Sequence, residues 1–321
     1  MQRLIGTLGL TLTLGIMPGA VLCAAVGTEP VAVLRDGTAH QALFSIALDH
    51  DDGVAVGAGG AILETKDGGK HWSALAAPVT KLALLGVDMR GAVRLAVGQS
   101  GIVLRKDGAG AWTAYAGGTA NRLFGVSLNP QGLAIAVGAF GTIAKSVDSA
   151  RSWQILKVNW DAFVEPGTEP HLYAVHVEDD GTITIVGEFG LILRSTDGGS
   201  KWQLLHKGDA SLLALELRSD GVGFAVGQNG AVLRSTDKGV TWTPIETHTK
   251  AILLGVHSSP GGRVYVTAMR DMLASNDDGA SWRHLTGTDF AVSWYAAVTA
   301  TPTDQGVIAV GHAGRVLRIG M

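Results

Sequence analysis

The chain has 321 residues, 46% of them apolar and 17% charged, with 45 glycines against 9 prolines. That is ample for a hydrophobic core, and the glycine excess points to many tight turns. A net charge of −3 with no basic run excludes the electrostatic footprint of a nucleic-acid binder.

Taken in order, Met1 to Ala25 reads as a secretory signal peptide. Arg3 is its charged start, Leu4 to Leu22 its apolar stretch, and Ala24-Ala25 a cleavage site. An uncleaved membrane anchor competes with this reading, but Pro18 and the internal glycines and threonines weaken a span. Lipidation of Cys23 is the third reading, and Leu22 stands where it would want a small residue. Cys23 is the only cysteine, so residues 26–321 contain neither a disulfide nor a thiol nucleophile. Export to a periplasm, or to a thylakoid-lumen-like compartment, is the expected location.

Val31-Ala32-Val33-Leu34-Arg35 follows as a lone strand. From Leu43 a unit of about forty residues repeats. Each unit opens on a short apolar strand: Leu43–Leu48, Leu84–Val87, Leu123–Leu128, Leu172–Val177, Leu212–Leu217, Leu253–Val256 and Trp294–Val298. A second strand ends in Val-Gly, as at Val97-Gly98 and Val226-Gly227. A third opens on a glycine two residues later and runs into an Asp box. There an Asp stands five residues before a Trp: Asp67 and Trp72, Asp107 and Trp112, Asp148 and Trp153, Asp197 and Trp202, Asp237 and Trp242, Asp277 and Trp282. Asp and Gly make the turn, and the Trp anchors the outer strand by burying a large surface. Four strands per forty residues is a propeller blade.

Seven first strands predict an all-β, seven-bladed propeller of four-stranded antiparallel blades, one domain over residues 26–321. The seventh blade stops at Leu317-Arg318-Ile319-Gly320-Met321, before any outer strand, which would leave an open edge. Val31–Arg35 is expected to supply that strand and close the ring. Two departures stand out. Blade 6 has Met269-Arg270 where other blades carry turn glycines, and Trp153 and Trp202 are 49 residues apart where other steps are 40 or 41. The extra residues form an insertion at 157–170, between blades 3 and 4.

The Asp boxes and the second-to-third-strand turns fall on opposite faces. The latter face is expected to gather a partner-binding rim of Gln99, Phe140, Trp160, Glu188, Phe189, Gln228, Asn229, Arg270 and His312, with Trp294 nearby, because exposed aromatics among polar groups mark interaction surfaces. Their competing reading is as ordinary turn residues. A second recurrent set ends the third strands: Lys145, Arg194, Arg234 and Arg318, with Arg105 shifted by one and Glu64 and Ala274 breaking the ring. It is read as structural, each cation covering a neighbouring turn.

Neither a metal nor another cofactor is expected. The ten histidines form no ligand motif, and His171 and His176 fall on opposite faces of a strand. The glycine turns open no helix, so they are not dinucleotide sites. Asp boxes also occur in sialidases, which use a Tyr nucleophile. Here only Tyr115, Tyr173, Tyr265 and Tyr295 are present, and the arginines lie at the wrong end of the blades for a substrate carboxylate. A sialidase-like hydrolase or a glycan-binding propeller is therefore the alternative rather than the main expectation.

Repeats such as Val186-Gly187-Glu188-Phe189-Gly190-Leu191-Ile192-Leu193-Arg194-Ser195-Thr196-Asp197-Gly198-Gly199-Ser200-Lys201-Trp202 resemble the photosystem II stability and assembly factor family, and the resemblance runs over residues 31–321. It implies a non-enzymatic, exported, monomeric binding scaffold. Its partner would be a membrane-protein subunit or complex, of a photosystem in photosynthetic members and another envelope complex in bacterial relatives.

Overall fold

The computed structural model describes residues 29–287, 289–303 and 305–320. The expected leader 1–25, with Cys23, lies outside them. Seven four-stranded antiparallel sheets form a ring, each ordered from the inner to the outer strand. The inner strands are Leu43–Asp49, Leu84–Arg90, Leu123–Leu128, Leu172–Val177, Leu212–Leu217, Leu253–Ser258 and Tyr295–Ala300. The seventh begins one residue later than its sequence suggested, because Trp294 leaves the strand to bridge Met269 of blade 6. In blade 7 the order is Val31–Arg35, Val316–Ile319, Val307–Gly311, Tyr295–Ala300, so the N-terminal strand closes the ring as expected.

The packing explains the sequence pattern. Second strands such as Ala134–Gly138 and Ile183–Gly187 are buried throughout, because both faces of each blade pack on neighbouring blades. The cores therefore lie between blades. Val186 and Ile192 of blade 4, for example, meet Leu212, Ala225 and Leu233 of blade 5 around Trp242. The inner strands approach one another closely, and a Cβ at Gly86 would stand 2.8 Å from the carbonyl oxygen of Phe124 in the next blade.

Polar side chains join blade to blade. The Val87 N–H donates to Ser45 Oγ at 3.2 Å, Leu128 N–H to Asp88 at 2.7 Å and Val177 N–H to Ser127 Oγ at 3.1 Å. Three of the basic set do the same at the third strands, while Arg234 and Arg318 leave their Nε buried without a partner among the described residues. Arg105 Nε donates to the Ser149 carbonyl at 2.7 Å, Lys145 Nζ to Gly198 at 2.6 Å, and Arg194 to Lys238, each reaching the Asp-box turn of the following blade. Arg105 is in register with this set, contrary to the shift read from its sequence. It pairs with Leu95 as Lys145 pairs with Ile135, so the residue missing from this short repeat was lost from the turn.

Five Asp boxes share one geometry. Asp237 accepts the Val240 and Thr241 N–H groups at 3.1 and 2.9 Å, and Ser235 Oγ accepts the Gly239 N–H at 2.9 Å. Asp67, Asp148, Asp197 and Asp277 repeat this role. In blade 2 the missing residue is that Ser, and Asp107 ends the third strand Ile102–Asp107 instead. There the Trp112 indole donates to Glu64 of blade 1 at 2.8 Å, beside Lys106 at 2.6 Å. Burial works against this carboxylate's charge, but the Lys106 and Trp112 bonds outweigh it and hold Glu64 below its ordinary range.

Two kinds of carboxylate set opposite pH responses. Hydrogen bonds to Thr241 and Ser281 hold Asp237 and Asp277 at about 2, below their ordinary 3.8. Folded values below unfolded ones give stability present above pH 3.8 and lost as pH falls towards 2. Burial raises Asp88 to about 6, so its contribution is present below pH 3.8 and lost as pH rises through 6. Urea midpoints should therefore fall below about pH 4. They should also decline between about pH 4 and 6, and Asp88→Asn should flatten that second decline. An unchanged slope in the variant would assign the decline to other groups.

Candidate partner-binding face

Seven equivalent residues cap the turns between second and third strands: Gly59, Ser100, Phe140, Phe189, Asn229, Arg270 and Ala313. All take left-handed φ, from 53° to 62°. Glycine takes this conformation freely and Asn tolerates it, but bulkier side chains cost about 1–2 kcal/mol there. Phe140 and Phe189 adopt it while exposed, at 57% and 40%. Turn chemistry does not call for a phenylalanine at such a tip. Arg270 reaches the same conformation without the glycine that follows elsewhere, because its N–H is held by the Ser293 carbonyl at 2.8 Å.

The turn residues one position earlier brace the structure. Gln99 accepts the Ala83 N–H at 2.9 Å, Glu188 the His171 N–H at 2.8 Å and Gln228 the Ser211 N–H at 3.3 Å. Each ties a turn to the chain entering its own inner strand. His312 stands edge-on to Trp294 at 6.0 Å. Trp160 is not on the rim: it is 8% exposed and sits on Gly141, where a Cβ would come within 2.1 Å of the indole nitrogen. With Val158, Phe163 and Val164 it anchors the 157–170 insertion on the core of blades 3 and 4.

The residues that line the channel mouth were not among those expected from the sequence. Every inner strand carries a β-bulge just after its first residue, leaving Phe44, Leu85, Phe124, Tyr173, Leu213, Leu254 and Ala296 unpaired. Bulges redirect side chains, and these seven line the central channel, a cavity of about 200 Å³. The signal was present: each follows an invariably buried first residue, so alternation turns it away from the core. Six of the seven are large and apolar or aromatic, and all seven are half-buried.

Two aromatic groups flank this mouth. Phe124, Phe140, His171 and Tyr173 cluster across blades 3 and 4, with Phe140 and His171 centroids 5.1 Å apart. Across the ring, Phe44 stacks on Trp294 at 6.1 Å and 4°, near exposed Met269 and Val292. Tyr173 Oη lies 3.5 Å from Glu188, and burial followed by that carboxylate's charge raises its pKa, the wrong direction for a nucleophile. Among the described residues no group of three or more His, Cys, Asp or Glu could hold a metal ion, and no helix is long and apolar enough to cross a membrane.

Fold and face together define a seven-bladed Asp-box propeller with an aromatic-rimmed channel mouth. Residues 33–156 match the family described as photosynthesis system II assembly factor YCF48, and the chain resembles that family. A structure described as YCF48 bound to D1 peptide superposes with a TM-score of 0.72 at 18% identity, covering 91% of this chain and 97% of that one. YCF48 from Cyanidioschyzon merolae gives 0.71 at 16% identity, covering 90% and 98%. A catalytically inactive virginiamycin B lyase from Staphylococcus aureus, solved with quinupristin, gives 0.76 at 10% identity, covering 91% and 99%. Such identities establish the fold, which hosts both binding proteins and enzymes. No curated protein sequence matches the chain.

Proposed function

We propose that the protein is an exported, non-enzymatic and monomeric binding scaffold. Its second-to-third-turn face docks on a membrane-protein subunit or complex, of a photosystem or of another envelope assembly. The observation that carries this is the pair of exposed phenylalanines held in left-handed backbone, Phe140 and Phe189. Backbone strain persists where the surrounding structure imposes it, and it concentrates at working sites. The YCF48 structure supports the reading, since it is a propeller of this fold bound to a D1 peptide. The hydrolase alternative is disfavoured by Tyr173 and by Arg105 and Arg194, which are committed to inter-blade turns.

The test is native co-purification of the mature protein from gently solubilised membranes of its source. Phe140→Gly and Phe189→Gly should each leave stability within about 1 kcal/mol of wild type, because relief of the tip conformation offsets the flexibility that glycine adds to the unfolded chain. Each should also lower the yield of the captured complex. Wild-type yield from both variants, or capture of nothing by the wild type under crosslinking, would overturn the reading.

A further inference from the structure

Phe140 stands between two clefts. On the channel side is one of about 570 Å³, lined by Ser100, Asn121, Arg122, Phe124 and His171. On the outer side is one of about 440 Å³, floored by Trp160 and edged by Asp161, Thr168 and Glu169 of the insertion. Both lie within the roughly 300–1,000 Å³ range of ligand sites. Phe140 lines both, so the two clefts adjoin at its exposed ring and make a two-part groove across blades 2–4 with that ring at its crest.

The groove is electrically polar. At its inner end Arg122 is exposed, and its guanidinium has no bonding partner among the described residues, while its carbonyl accepts the Ala139 N–H at 2.9 Å. At its outer end Asp161 and Glu169 are exposed carboxylates. Asp161 uses one oxygen to accept the Gly167 N–H at 2.9 Å, which closes the insertion loop on itself and fixes that carboxylate at the cleft. The Phe140 N–H donates to His171 Nδ1 at 3.1 Å, which holds the crest against the aromatic cluster. The Trp160 plug keeps the outer cleft rigid, because the insertion's apolar residues are part of the blade 3–blade 4 core. The order along the groove is therefore cation, aromatic crest, anions, on a rigid floor.

We infer that this groove binds an extended peptide segment of the partner with three features in series: a carboxylate for Arg122, an apolar side chain for Phe140 and His171, and a basic side chain for Asp161 and Glu169. The inference rests on the docking reading above and adds the chemistry and direction of what docks. Charge order of this kind selects among apolar segments that would otherwise bind alike, because like-charge juxtaposition is costly. It also fixes the direction in which the segment lies.

The experiment uses the mature protein and fluorescein-labelled ten-residue peptides, each with one basic, one aromatic and one acidic residue at varied spacings, read by fluorescence anisotropy. The wild type should bind a subset of these, and peptides with two acidic or two basic residues about tenfold more weakly. Arg122→Glu should lose about tenfold on the mixed-charge peptide and regain it on the peptide whose acidic residue is replaced by Lys. Phe140→Gly should weaken every peptide, with melting temperatures confirming the fold. Equal binding of all charge patterns, failure of the Arg122→Glu swap to exchange preferences, or no binding by the wild type would overturn the groove. If those results came with undiminished capture of a membrane complex, the docking reading would stand and only its peptide chemistry would fall.

Discussion

Removing residues 29–36 should open the ring and leave the protein aggregated or largely unfolded, at a cost of about 5 kcal/mol or more. The strand Val31–Arg35 pairs along Val316–Ile319, and the Gly320 N–H donates to the Pro30 carbonyl at 3.0 Å. Its side chains fasten two inter-blade cores at once. Val31 packs on the blade 6–blade 7 cluster with Tyr265, Leu317 and Ile319, and Leu34 packs on the blade 7–blade 1 cluster with Leu43, Ile308 and Val316. Glu29 then ties the strand to blade 6 through Arg283 and through Tyr265 Oη at 2.7 Å. Ladder bonds at about 1 kcal/mol each and two part-buried apolar side chains at about 1 kcal/mol each reach that figure. It is comparable to the whole stability of many domains, about 5–15 kcal/mol. The deletion also bares the edge of Val316–Ile319, a template for pairing with other chains. Size-exclusion chromatography and urea denaturation would read both effects, and a synthetic 29–36 peptide added during refolding should restore part of the soluble monomer. An unchanged midpoint would mean that the closing strand does not hold the ring.

The closing strand was legible because its need was. Six outer strands follow six Asp boxes and the seventh is missing, so an apolar strand ahead of blade 1 had one place to go. The blades were equally legible, since the Asp-to-Trp spacing is imposed by the turn itself: Asp237 must reach the Val240 and Thr241 N–H groups. The candidate face was harder to read for the same reason. Residues that recur with the repeat share a position but not a job. Gln99, Glu188 and Gln228 recur as braces, while Phe140, Phe189 and Arg270 recur at the tips. Trp160 looked exposed because it lies in a polar insertion. What buries it is contact with Gly141, a glycine present in most blades for its turn and so silent about what covers it. The bulged channel residues were hidden by regularity: a uniform defect leaves no irregular spacing to notice.

Trp242→Ala should destabilise the protein by about 3–5 kcal/mol, the cost of emptying a buried aromatic site. Trp242 is 9% exposed, and its indole donates to the Gly239 carbonyl at 3.0 Å, locking the Asp-box turn that Asp237 organises. Its ring joins Leu212, Leu217 and Leu233 with Val186 and Ile192, so the cavity would open at the junction of blades 4 and 5. Because a closed ring passes strain to both neighbours, the loss should appear in global urea unfolding rather than as fraying of one blade. Trp242→Phe should recover the larger part, since it restores the aromatic volume and lacks only the indole bond, worth about 1 kcal/mol. Partner capture provides the contrast. Trp242 belongs to the Asp-box end of its blade and Phe140 to the opposite turns, so Trp242→Ala should reduce the amount of folded protein but leave capture per folded molecule unchanged. Phe140→Gly should do the reverse. If Trp242→Ala abolished capture while the protein stayed folded, the binding face would have to be moved to the Asp-box side of the ring.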